Sequence, residues 1–176
     1  LELLEEAAGE CVHPAMWRDY MLRVVHAGLV SPSLVASNAA VVNGYAIYVL
    51  GKRAKVPKPK LDELISRWVF AAQLTARYSG SSETKFEEDL ARIRDANTAD
   101  AFIDAVDGAL AEEITGDYWS KVISSLQTQR GRAPTAVAFR AAQIVLGARA
   151  LLSDQSMRNL LAIWRDVTVE RLAQSE

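Results

Sequence analysis

The sequence predicts an all-α fold: a globular bundle of about eight helices with short connections. Three observations carry this expectation. Apolar residues recur at spacings of three and four along most of the chain. β-branched runs are short, and no two-residue hairpin separates alternating segments. Serine, proline and glycine fall where helices would start and stop. With 176 residues, half of them apolar and 24% charged, the chain is long enough to bury a sizeable core and reads as one helical domain over 1–176.

Each element follows from its own residues. Leu1 to Glu10 is rich in the helix formers Leu, Glu and Ala. Pro14 opens a second helix, whose stripe is Met16, Trp17, Tyr20, Met21, Val24 and Val25, and Gly28 ends it. Ser31 caps a third with Pro32 in its first turn, and Gly51 is its natural stop. Residues 52–60, KRAKVPKPK, carry five basic residues, two prolines and no acid, and read as a basic linker between helices. Pro59 then permits a helix through Leu61, Leu64, Ile65, Trp68, Val69, Ala72 and Leu74. After the loop at 77–82, Phe86, Leu90 and Ile93 form a stripe spaced by four and three. Asn97 and Thr98 cap a helix with Phe102, Ile103, Val106 and Leu110, which closes near Gly116. Asp117 caps the next, with Tyr118, Trp119, Val122, Ile123 and Leu126. A polar turn, QTQRGRAP, leads to a long Ala-rich helix from Pro134 through Leu152, and Ser153 caps a last one with Met157, Leu160, Leu161, Ile163 and Trp164.

Composition excludes several function classes. A net charge of −2 leaves no overall footprint for nucleic acid or an anionic membrane. One cysteine, Cys11, excludes an internal disulfide framework and fits a reducing, cytoplasmic setting. The chain opens on Leu1 without a basic n-region before an apolar core, so no secretory signal is read and a piece of a longer protein is expected. From Gly28 to Gly51 there is no charge, and a basic run follows, as at a membrane span. The serines, asparagines and alanines of that run favour the buried centre of a helical domain instead.

No catalytic constellation emerges. Cys11, His13 and His26 supply too few donors for a closed zinc site. No Gly-x-Ser-x-Gly elbow exists, and nothing in the spacing pairs a nucleophile with a base. The acidic pairs Glu5-Glu6, Glu87-Glu88-Asp89 and Glu112-Glu113 are neighbours on helices, about 100° apart, and do not converge on one atom. Glu63 and Arg67, four apart, read as a surface pair. The expectation is therefore no catalytic residue, no metal and no cofactor.

Two features are candidates for binding. RYSGSSETKFEEDL, residues 77–90, is a Ser/Gly loop opening into an acidic helix, a form that proteins use for phosphate. It holds one glycine, and its nearest lysine, Lys85, lies inside the helix, unlike a nucleotide fingerprint. Capping by Ser81 or Ser82, with Glu83 on the positive helix end and Tyr78 in the core, accounts for it without a ligand. If the turn holds a phosphate, Arg77, Tyr78 and Ser81 are the contacts. The second feature is the basic run, where Lys52, Arg53, Lys55, Lys58 and Lys60 are either a solvated linker or contacts to a nucleic-acid backbone. Arg130, Arg132 and Arg140 form a smaller cluster with the same two readings.

The same residues also carry a resemblance. ISRWVFAAQLTARYSGSSETKFEEDL (65–90), followed by GDYWSKVISSLQT (116–128) and RGRAPTAVAFRAAQIVLGARALLS (131–153), resembles the helical region of the GmrSD-type modification-dependent restriction proteins of bacteria, over about 60–153. Two motifs of that family, Asp-Gly-Gln-Gln-Arg and His-His-x-Phe-Pro, do not occur here, so none of its catalytic residues can be placed on this chain. The resemblance implies a non-catalytic helical module of a phage-defence protein, coupling nucleotide-sensing and nuclease domains and contacting DNA. Its partners would be other domains or subunits of an NTP-dependent nuclease and DNA, with a homo-oligomer compatible and no membrane. The alternative is a protein–protein interaction or oligomerisation module without DNA contact.

Overall fold

A computed structural model of the chain describes residues 13–126, 133–149 and 155–159. The expectations for the helix at Leu1–Glu10, for Cys11, Arg130, Arg132 and Ser153, and for the last helix from Leu160 onward lie outside these residues. The fold is all-α and multi-helical. Its described helices are α1 (Pro14–His26), α2 (Asn38–Arg53), α3 (Lys58–Leu74), α4 (Ser82–Ile93), α5 (Ala99–Glu113), α6 (Gly116–Leu126) and α7 (Pro134–Val145). A 3₁₀ turn at Pro32–Leu34 precedes α2. Among the described residues, extended pairing is limited to a single antiparallel bridge between Arg149 and Ser156.

Helix α3 is the centre. Leu61, Leu64, Ile65, Trp68 and Ala72 recur at three and four, so one continuous stripe can be buried on several sides at once. It packs against α1, α2, α5 and α7. Proline starts α1, α3 and α7 within the first two positions, where its missing N–H costs no helical bond.

The helix ends explain most departures from expectation. The third helix begins at Asn38, not at Pro32. Ser31 caps only the 3₁₀ turn, and the Ser37 hydroxyl accepts from the Ala40 amide to start α2. Gly51 does not stop α2, because it serves a close approach: a Cβ there would lie 2.5 Å from Leu61 Cδ1 and 3.0 Å from Phe102. The stop comes at Lys55, whose φ of 58° is left-handed. The Val56 amide bonds to the Gly51 carbonyl (3.1 Å) and the Lys55 amide to Lys52 (3.0 Å), a Schellman cap completed by buried Val56. The apparent linker 52–60 thus narrows to residues 54–57 between two helices. Ala76 ends α3 in the same way at φ 54°, and Gly28 (86°) and Gly147 (72°) end α1 and α7. The turn at Gly147 is why α7 finishes at Val145 and not at Leu152.

One further cap differs from the expected one. Thr115, not Asp117, accepts the first-turn amide of α6, from Tyr118 at 3.2 Å. Ser156 accepts from the Asn159 amide at 3.2 Å. On α6 only Val122 is buried, while Trp119 and Ile123 are exposed.

Buried polar side chains fix the loops. The Gln73 side chain, without solvent exposure, accepts from the amides of Ala36 and Ser37 and donates to the Ser37 carbonyl, all at 2.8 Å. It thereby holds the start of α2 against the end of α3. The Tyr20 hydroxyl donates to the Val41 carbonyl at 2.5 Å, crossing the face of α2 where Gly44 leaves room.

Candidate functional site

The five basic residues of 52–60 are all exposed and share one corner of the bundle, at the α2–α3 turn. Lys52 and Arg53 occupy the last turn of α2, where a cation complements the negative helix end. Lys55 holds the left-handed cap, and Lys58 and Lys60 lie in the first turn of α3. Both ends of the corner are helical, and its cap is closed by the bonds of Lys55 and Val56. Lys52 Nζ stands 5.8 Å from the centre of the Tyr48 ring. Burial and the nearby Asp19 carboxylate push the Tyr48 phenol up to about 12.

Lys58 is partly engaged within the protein. Its Nζ lies 3.3 Å from Asp62, which also accepts from buried Arg23 Nε at 2.7 Å and Nη2 at 2.5 Å. Arg23 donates a third bond to the Asp19 carbonyl at 2.5 Å. Partial burial would raise the Asp62 carboxyl, yet the bonds and charge of Arg23, with Lys58, outweigh it and hold the group below the usual range.

The 77–90 turn is built inward. Arg77 donates from Nε (3.0 Å) and Nη2 (2.5 Å) to Asp89 and from Nη1 to Glu113, and its guanidinium lies 4.9 Å from the Trp68 ring centre. The Tyr78 hydroxyl donates to the same Asp89 at 2.7 Å. Burial raises the Tyr78 phenol, and the Asp89 carboxylate raises it further. Burial opposes the Arg77 charge, but Asp89 and Glu113 more than restore it. Both residues are buried and donate to carboxylates of the protein, in keeping with the ligand-free reading of the turn, in which Tyr78 lies in the core. Ser81 is exposed at the N-cap position of α4, yet it makes no capping bond, and its hydroxyl pairs with that of Thr84 at 2.8 Å. Arg67 reaches Asp107 at 2.9 Å, which replaces the expected pairing with Glu63.

Asp89 was the residue that sequence reasoning missed. It belongs to the acidic run Glu87-Glu88-Asp89, but it alone falls on the stripe of Phe86, Leu90 and Ile93, and a carboxylate on an apolar stripe signals a buried partner.

His13 and His26 are exposed, and among the described residues no three His, Cys, Asp or Glu side chains are placed to hold a metal. No helix among the described residues is long and apolar enough to cross a membrane. Two adjoining clefts, of about 310 and 320 Å³, share Arg67 and Phe70. Leu74, Ile114 and Trp119 line the first, and Ala142, Val145 and Leu146 the second, so together they form an apolar groove. Comparison with family models, curated proteins and solved structures yields no match for this chain.

Proposed function

We propose that this chain is the non-catalytic helical module of a restriction-type phage-defence protein, which couples a nucleotide-sensing domain to a nuclease in the cytoplasm and touches DNA. The observation that carries the DNA contact is the basic corner. Lys52, Arg53, Lys55, Lys58 and Lys60 are exposed together on a capped turn, in a protein whose net charge is −2. Phosphates are neutralised by such clusters through counterion release, without any base-reading element. The resemblance over 60–153 supplies the family.

The test is titration of duplex DNA at increasing salt with the chain and with its five-alanine variant at 52, 53, 55, 58 and 60. The expected result is binding whose logarithm falls linearly with log salt by about 0.9 per phosphate contact, with a shallower slope for the variant. Robust nuclease or nucleotidase turnover by the isolated chain with a divalent metal would sink the non-catalytic part.

One observation favours a second reading, a protein–protein or oligomerisation module. It is the apolar groove around Phe70, whose rim leaves Trp119, Val145 and Leu146 exposed. Absence of DNA binding at low salt, together with a dimer mass in solution, selects it.

A further inference from the structure

The basic corner continues into a cleft built by residues more than thirty positions further along the chain. Leu50, Arg53 and Ala54 at the end of α2 face Ile93 and Arg94 at the end of α4, with Asn97 before α5 closing the third side. The space between them is about 230 Å³. A water takes roughly 30 Å³ of liquid, so the cleft has room for a phosphodiester group with part of its hydration. Unlike the groove around Phe70, it is lined mostly by polar surface.

The fold explains why these groups meet. The Arg77–Asp89 and Tyr78–Asp89 bonds tie α4 to the corner that follows α3. From there α4 runs along the bundle, and buried Ile93 brings its last turn against α2. Arg94 then emerges beside the basic end of α2. Its own carboxylate neighbour, Asp95, is a loose partner: the contact is 3.6 Å and both side chains are largely exposed. An exposed pair of this kind contributes little and yields readily to a phosphate.

We propose that this cleft seats one backbone phosphate of the nucleic acid that lies on the basic corner, with Arg94 as the cation from the α4 side. The guanidinium suits the task because it offers two donors in a plane to one phosphate. The inference rests on the DNA-contact reading above, and it adds a second element to the path. Nucleic acid would cross from the α2–α3 turn onto the end of α4.

Salt-dependent binding of the same DNA duplex tests it, using Arg94→Ala, Asn97→Asp and Arg94→Lys. Both positions are exposed, and thermal melts verify folding. A control is Lys121→Ala on α6, which Tyr118 anchors to Leu74 at the far end of α3 from Lys58. The expected result is a slope reduced by about 0.9 for Arg94→Ala, the loss of one contact. Asn97→Asp, which places an anion in the cleft, should weaken binding at all salt concentrations; Arg94→Lys keeps the slope with the charge but binds more weakly for want of the planar donor pair, and Lys121→Ala binds as wild type. If Arg94→Ala and Asn97→Asp bind as wild type while the five-alanine variant does not, the cleft is off the path and the inference fails alone. If the wild-type chain shows no salt-dependent binding, the DNA reading fails and takes the cleft with it.

Discussion

Arg77 and Asp89 meet in the interior through two bonds, Nε to Oδ2 at 3.0 Å and Nη2 to Oδ1 at 2.5 Å, with both side chains almost wholly shielded from water. The pair is the lock between the end of α3 and the helix that follows it. Tyr78 adds a third donor to the same carboxylate, and Glu113 brings α5 to the other side of the guanidinium.

Breaking this lock on one side should be costly. Asp89→Ala leaves a buried guanidinium and a buried phenol without their shared acceptor, and the expected loss is about 3–5 kcal/mol of unfolding free energy. Replacing the set together, as Arg77→Met with Tyr78→Phe and Asp89→Leu, removes the buried charges and their need for partners, and leaves unpaired only Glu113, which is partly open to water. That variant should lie within about 2 kcal/mol of wild type. Urea denaturation of both decides the matter. Equal losses for the two would mean that shape and not charge pairing governs the corner.

The corner also shows what a sequence displays and what it hides. Proline at Pro14, Pro59 and Pro134 and the apolar spacing of α3 are local signals, and the helices they announce are present. Helix ends were less legible. Lys55 and Ala76 adopt left-handed caps without glycine, and Gly51, the glycine that looks like a stop, is reserved for contact with Leu61 and Phe102. Those choices depend on neighbours distant in sequence. Arg77 looked like a ligand contact for the same reason: its partner is twelve residues on, inside an acidic run that reads as solvated surface.

The hidden caps predict a stabilising change. Ala76 has φ 54°, a conformation that costs an L-residue about 1–2 kcal/mol and glycine almost nothing. Against this, glycine loses more freedom on folding, about 0.5–1 kcal/mol. Ala76→Gly should therefore raise stability by roughly 0.5–1 kcal/mol, visible as a higher urea midpoint at unchanged slope. The opposite case is Gly28→Ala. Besides its φ of 86°, the new Cβ would stand 2.3 Å from the Ala141 carbonyl oxygen, so α1 and α7 would have to separate. A loss of several kcal/mol is expected, and wild-type stability would mean that the α1–α7 approach is looser than described.

Gln73 tests whether one buried amide holds the start of α2. Gln73→Leu keeps the bulk but leaves the amides of Ala36 and Ser37 and the Ser37 carbonyl without their partner. Each buried unsatisfied group costs about 1–3 kcal/mol, and relaxation of the loop toward water recovers part of it. A net loss of about 3 kcal/mol is expected. Native-state hydrogen exchange should place it locally, with the first turn of α2 losing protection before α3 does. Uniform loss of protection would contradict a local role.

Acid and alkali should destabilise the protein through different groups. Asp62 is held below its ordinary value of 3.8 in the folded chain, so its contribution is complete above that pH and is lost as pH falls through the depressed value. Tyr48 behaves in the opposite sense. Its folded value of about 12 exceeds the ordinary 10, so the folded state keeps a proton that the unfolded chain releases. The stability it contributes is complete below pH 10 and is lost as pH rises toward 12. Burial raises Tyr20 and Tyr78 in the same direction, which steepens the alkaline limb. Urea midpoints measured from neutral pH upward should fall once pH passes 10, and Tyr48→Phe should fall less steeply because one of the raised phenols is gone. An unchanged alkaline slope in Tyr48→Phe would show that this phenol ionises as freely in the folded protein as in the unfolded chain.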